Sequence, residues 1–226
     1  MTKETKMFDI IAFEKPLDSK LHSAYIEQLS FLLLKHIFPE ISSKLTLSDA
    51  PDLQAEDKSV GIEITEAVVP EIAQIDGEHA KLCFGKKMEH EKEKCRRLIE
   101  KNGGEVNSIG LSYPVTNNKD EWNIFLNALK KKVKLLPSYR SKGFKKMGLF
   151  ILFNETPIPF NPKVAMERFA EIQKDSIDKF DFLLFGYHNG VIVYYFSNMS
   201  YEIYTINQDT FDDLSLCARN LVELSV

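Results

Sequence analysis

Apolar residues recur along the chain at two periods, and the switch between them marks out the elements. From Asp18 or Ser19 to Phe38 the spacing is helical, with Leu21, Tyr25, Leu29, Leu32 and Leu33 on one stripe and Pro39 as the stop. Both sides of this helix turn apolar towards its end, which predicts burial on two faces. Strand-sized pieces follow at Lys44 to Leu47, Asp52 to Glu56 and Val60 to Val69, the last two joined by the turn Asp57-Lys58-Ser59. Gly77 to Lys101 reads as a charged helix interrupted at Gly85 and closed by Gly103-Gly104, with a strand after it at Val106 to Leu111. Asp120 to Leu136 is an amphipathic helix with Trp122, Phe125, Leu129 and Val133 inward, followed by the strand Met147 to Phe153 and a helix near Lys163 to Lys174. Phe180 to Tyr187 and Val191 to Phe196 flank His188-Asn189-Gly190, whose Asn-Gly pair favours a hairpin turn, and Tyr201 to Ile206 continues that sheet.

A length of 226 residues suits one domain. A hydrophobic content of 44% and 16 Phe supply enough apolar surface for an ordinary core and exclude overall disorder. The aliphatic cluster from Leu29 to Leu34 is far shorter than the ~20 residues a membrane span needs. A charged start and three unpaired-looking cysteines, Cys83, Cys95 and Cys217, lead to the expectation of a cytoplasmic protein with reduced thiols and no membrane partner. His79 and Cys83 are four apart, a zinc-compatible spacing, but lack a second ligand pair downstream.

The net charge of -4 hides a strong segregation: -8 over Met1 to Glu78, +10 over His79 to Lys146 and -6 over Met147 to Val226. The cationic middle is most concentrated at Lys130, Lys131, Lys132, Lys134, Arg140, Lys142, Lys145 and Lys146, with no carboxylate between Trp122 and Asn154. Such a belt attracts polyanions, so these side chains are candidates for nucleic-acid contact. Tyr139 and Phe144 interleave with them and either stack on bases or pack in the core.

Candidate chemistry concentrates in Ala50 to Ala67. Paired strands would bring Asp52 towards Glu63, and the period of two puts Glu63 and Thr65 on one face with Ile62 and Ile64 on the other. Two carboxylates brought together repel unless a cation sits between them, and hard oxygen donors suit Mg²⁺ or Mn²⁺. Upstream, Glu27 shares an otherwise apolar ridge with Phe31 and Leu34. Pro51-Asp52 followed by Glu63-Ile64-Thr65, behind a helix carrying Glu27, resembles the PD-(D/E)xK nuclease superfamily, with Thr65 standing where that family has Lys.

The resemblance implies an α/β fold with a restriction endonuclease-like αβββαβ core over about 19–111, a mixed central sheet flanked by helices, and C-terminal α/β additions over about 112–226, all in one domain. It implies metal-dependent hydrolysis of nucleic-acid phosphodiesters, of DNA first, with Asp52, Glu63, the Ile64 carbonyl and Glu27 around the ion. Because Thr65 cannot supply the missing positive charge, a lysine of the following helix is expected to do so, and of Lys81, Lys86 and Lys87 the first is nearest the strand's end. The alternative is a catalytically inactive module on the same fold that binds nucleic acid or a protein. A homodimer or a partner protein stays open.

Overall fold

The computed structural model describes residues 16–84, 88–107, 110–114, 118–153 and 161–225. Its centre is a seven-stranded mixed sheet. Strands β1 (Leu45–Leu47), β2 (Leu53–Ala55) and β3 (Val60–Glu66) form an antiparallel meander; β6 (Lys146–Phe153) runs parallel to β3, and β7 (Phe182–Tyr187) runs parallel to β6. Strands β8 (Gly190–Tyr195) and β9 (Ser200–Thr205) add two antiparallel neighbours, giving the order β1-β2-β3-β6-β7-β8-β9. The predicted hairpin is present, its two-residue turn His188-Asn189 closing the Tyr187–Gly190 pair.

Central strands of a mixed sheet are covered on both faces, and the sequence of β6 reflects that: after exposed Lys146 every residue to Phe153 is buried. One face, with Leu149, Ile151, Phe153, Leu183 and Phe185, packs under α5 (Asn118–Val133), α6 (Leu136–Ser141) and α7 (Pro162–Ile172). The opposite face, with Ile62, Ile64, Phe150, Leu152 and Leu184, packs under α1 (His22–Ile37) and α8 (Gln208–Glu223). Helix α1 also packs along α8, which accounts for its apolar residues on two sides. A four-residue turn of helix, α2 (Pro39–Ser42), follows at Pro39.

Glycine admits close approaches within the sheet, and that at Gly148 bears on the side chains of the α1 face. A Cβ on Gly148 would lie 2.2 Å from the Phe182 ring of the neighbouring strand. Gly148→Ala therefore forces a half-buried aromatic out of its rotamer, and we expect a loss of about 2 kcal/mol, read as a lowered urea midpoint with unchanged slope.

The structure differs from the sequence expectation in the connection after β3. Two helices, α3 (Pro70–Phe84) and α4 (Glu89–Lys101), replace the single interrupted helix, and the first begins seven residues earlier than Gly77. Val106 to Leu111 is not a strand of the main sheet. Glu105–Val106 (β4) and Leu111–Ser112 (β5) pair only with each other, because two-residue strands with exposed or half-exposed side chains have no apolar face to bury against the core. The strand that runs parallel to β3 is β6, so a helix, three antiparallel strands, helices and a parallel strand extend to Phe153 rather than ending near residue 111. Among the described residues no helix is long and apolar enough to cross a membrane.

Candidate active site at the open edge of β3

The site arises from a mismatch in strand length. Strand β2 spans three residues and pairs with β3 only as far as Leu53↔Ile62, whereas β3 continues to Glu66. Beyond Ile62 the β2-side edge of β3 needs another partner for its backbone groups. Asp52, one residue before β2, supplies it: its Oδ2 accepts the Ile64 N–H at 2.6 Å. The Ala67 N–H donates to the Leu152 carbonyl on the β6 side, so the alternation of the strand turns Ile64, carbonyl included, towards Asp52.

Glu63 lies on the α5/α6 face of β3 and is buried, 4% exposed. Both carboxylate oxygens are engaged. Lys132 of α5 donates from Nζ to Oε1 at 2.6 Å, and Tyr139 of α6 donates its hydroxyl to Oε2 at 2.6 Å. Thr65 is half-buried and shares this face by the period of two.

Asp52 has its pKa pushed up to about 6. Burial is the main cause; the negative charges of Glu63 and Glu27 add to it, while the Ile64 N–H and Lys132 pull the other way. Glu27 thus belongs to the same electrostatic neighbourhood, although its Oε1 is in hydrogen-bond reach of the Ser23 hydroxyl at 3.2 Å, and its neighbours Phe31 and Leu34 are buried as the ridge predicts. Burial, together with the Glu63 carboxylate it serves, pushes the Tyr139 phenol upward, so Tyr139 remains a protonated donor at neutral pH. Its contribution is measurable: Tyr139→Phe leaves Oε2 without that donor, and we expect a loss of about 1–3 kcal/mol in urea unfolding.

The lysines divide differently from the expectation. Lys81 pairs with Glu78 at 2.6 Å and, among the described residues, touches neither Asp52 nor Glu63; Lys86 and Lys87 lie outside the described residues. The ammonium that reaches the acidic pair is Lys132, from the far end of the cationic belt. Arg140 is committed to the fold, donating to the carbonyls of Phe144, Lys145 and Lys179 and to Asp181 at 2.9 Å. Tyr139 and Phe144 are core residues, 4% and 3% exposed, and are not available for stacking on bases. Lys130, Lys131, Lys134, Lys142 and Lys145 are exposed, with Lys142 donating to the Ala50 carbonyl at 3.1 Å, two residues before Asp52. Lys146 opens β6 on the opposite face of the sheet from Glu63.

Sequence reasoning missed Lys132 and Tyr139 as partners of Glu63, but the signal for Lys132 was present. It follows Phe125 by seven residues and Leu129 by three, so it sits on the buried stripe of α5, where a lysine needs a counter-charge. The His79 and Cys83 side chains lie 3.7 Å apart, and among the described residues no three His, Cys, Asp or Glu side chains are close enough together to enclose an ion. The oxygens of Asp52, Glu63 and Ile64 are hard donors of the kind Mg²⁺ or Mn²⁺ takes, with two carboxylates to balance its charge. No family model matches the chain, and no curated protein and no solved structure is significantly similar to it.

Proposed function

We propose that the protein is a metal-dependent nuclease-like hydrolase of nucleic-acid phosphodiesters, DNA first, on a restriction endonuclease-like core. The observation that carries this reading is the convergence on the open edge of β3 of Asp52, buried Glu63 and the ammonium of Lys132. The order of α1, the β1-β2-β3 meander, α3 and the parallel strand β6 supports it further.

In this reading Asp52, Glu63 and the Ile64 carbonyl would hold Mg²⁺ or Mn²⁺, which would lower the pKa of bound water and offset charge developing on the reacting phosphate. The chain's own residues do the rest. Asp52 stays oriented through the Ile64 N–H, and Tyr139 fixes the rotamer of Glu63 from the buried side. Lys132 supplies the positive charge that Thr65 cannot, on a flexible stem able to hold a water or a phosphate oxygen beside Glu63. Glu27 adds negative charge behind Asp52 and strengthens the site's demand for a cation. The exposed Lys130, Lys131, Lys134, Lys142 and Lys145 provide salt-sensitive, sequence-neutral contact to the phosphate backbone.

One observation favours a second reading. Lys132 and Tyr139 already satisfy Glu63 without a metal, as they would in an inactive module that retains the fold for binding nucleic acid. Incubation of the purified chain with supercoiled plasmid and single-stranded DNA, in Mg²⁺, Mn²⁺ or EDTA, separates the two. The nuclease reading expects cleavage in metal and none in EDTA. Salt-sensitive binding in EDTA without cleavage in either metal supports the inactive module.

A further inference from the structure

On the sheet face opposite Glu63, between the C-terminal end of α1 and the beginnings of the parallel strands, lies a cavity of about 350 Å³. Leu34 of α1 and Phe38, which caps that helix, form one side, and Ile62, Phe182, Leu184 and Val193 of three strands form the floor. The Phe182 ring occupies its place only because Gly148 beneath it has no side chain. Ile41 of α2, on the wall, is 58% exposed although apolar, so the described chain leaves this wall uncovered. Concave, apolar volumes of this size with a few polar groups are typical small-molecule sites.

Two charged residues line the cavity, Lys146 and Asp181. They are not equivalent. Asp181 is already compensated, its Oδ2 accepting from the Arg140 guanidinium at 2.9 Å and from the Met147 N–H at 2.7 Å. Lys146 is exposed at the lip and forms no ion pair with a carboxylate among the described residues. The net complement of the cavity is thus an apolar body carrying one negative charge.

We propose that this cavity binds a small amphipathic carboxylic acid, its acyl or aryl body against Phe182, Leu184 and Val193 and its carboxylate at Lys146. The site is separate from the acidic pair on the other face and independent of whether that pair hydrolyses phosphodiesters.

Titration calorimetry on the full chain with octanoate, 1-octanol and octylammonium tests this. Octanoate is expected to bind one-to-one and at least tenfold more tightly than octylammonium, with octanol between them. Lys146→Glu, at an exposed position, is expected to reverse the order of octanoate and octylammonium and to leave octanol unchanged. Val193→Phe, which fills the floor, is expected to abolish all three. Absence of saturable octanoate binding overturns the proposal, as does an octanoate affinity unchanged in Lys146→Glu. Retained octanoate binding in a Val193→Phe protein with a wild-type thermal midpoint overturns the location.

Discussion

Replacing Lys132 by Met is expected to destabilise the fold by about 3 kcal/mol at neutral pH and to lower the proposed metal-dependent cleavage at least 100-fold, on the physical accounting of the Glu63 site. The Glu63 side chain is 6% exposed and that of Lys132 23%. Removing the cation leaves the carboxylate with Tyr139 as its remaining side-chain donor among the described residues. A buried charge stripped of its partner costs several kcal/mol; partial water access from the side vacated by the lysine keeps the figure at the lower end. Urea unfolding at pH 7 reads the deficit as a lowered midpoint. A double variant, Lys132→Met with Glu63→Gln, should recover most of the stability and none of the cleavage, because the neutral amide no longer needs the ammonium. A single variant as stable as wild type would mean that Lys132 contributes only as an exposed cation of the belt.

The extent to which this arrangement could be read in the sequence follows from which signals are local. The meander from Leu45 to Glu66 and the strands from Met147 to Thr205 are legible because their apolar residues recur at period two or in short buried runs bounded by turns. Asp52 and Glu63 are legible as neighbours because a tight turn joins the strands that carry them. The partners of Glu63 are not, since Lys132 and Tyr139 lie 69 and 76 residues away and reach it only when α5 and α6 fold over β6. A run of lysines without intervening acids looks like a solvated surface, yet it contains one residue on the apolar stripe of α5 and one arginine tied to Asp181. Charge composition reports on the average residue of such a run, whereas burial selects individual members. The crossover strand illustrates the same limit: Val106 to Leu111 and Lys146 to Phe153 both read as extended, and only the uninterrupted burial of the second shows which one joins β3. Helix α8 lies beyond the last strand identified from the sequence, although Asn207, whose side chain accepts the Thr210 N–H at 2.7 Å, carries an ordinary N-terminal signal for it.

Asp52 supports the second large prediction, in which stability and activity move in opposite directions. Its folded pKa of about 6 lies above the ordinary carboxylate value of 3.8, chiefly because it is buried and in part because Glu63 and Glu27 face it. A carboxyl whose folded pKa is raised binds its proton more tightly in the native state, so the native state loses stability as the pH rises from about 4 through about 6 and carries the full penalty above that range. Asp52→Asn removes the charge and keeps an oxygen able to accept the Ile64 N–H. In EDTA the variant should therefore unfold at higher urea than wild type at pH 7.5, and the difference should vanish near pH 4. The same change removes one of the two carboxylates proposed to balance a divalent cation, and cleavage in Mg²⁺ or Mn²⁺ should fall by about 10³-fold or more, as expected when a charge acting directly at the reacting phosphate is lost. A carboxyl whose burial costs more than the Ile64 N–H and Lys132 return is the pattern of a group kept for chemistry. If Asp52→Asn cleaves as wild type does, the edge of β3 is not the reaction centre. If the variant is less stable than wild type at pH 7.5, the carboxylate is instead a favourable partner of the Ile64 N–H and Lys132, and the electrostatic demand for a cation at this edge disappears.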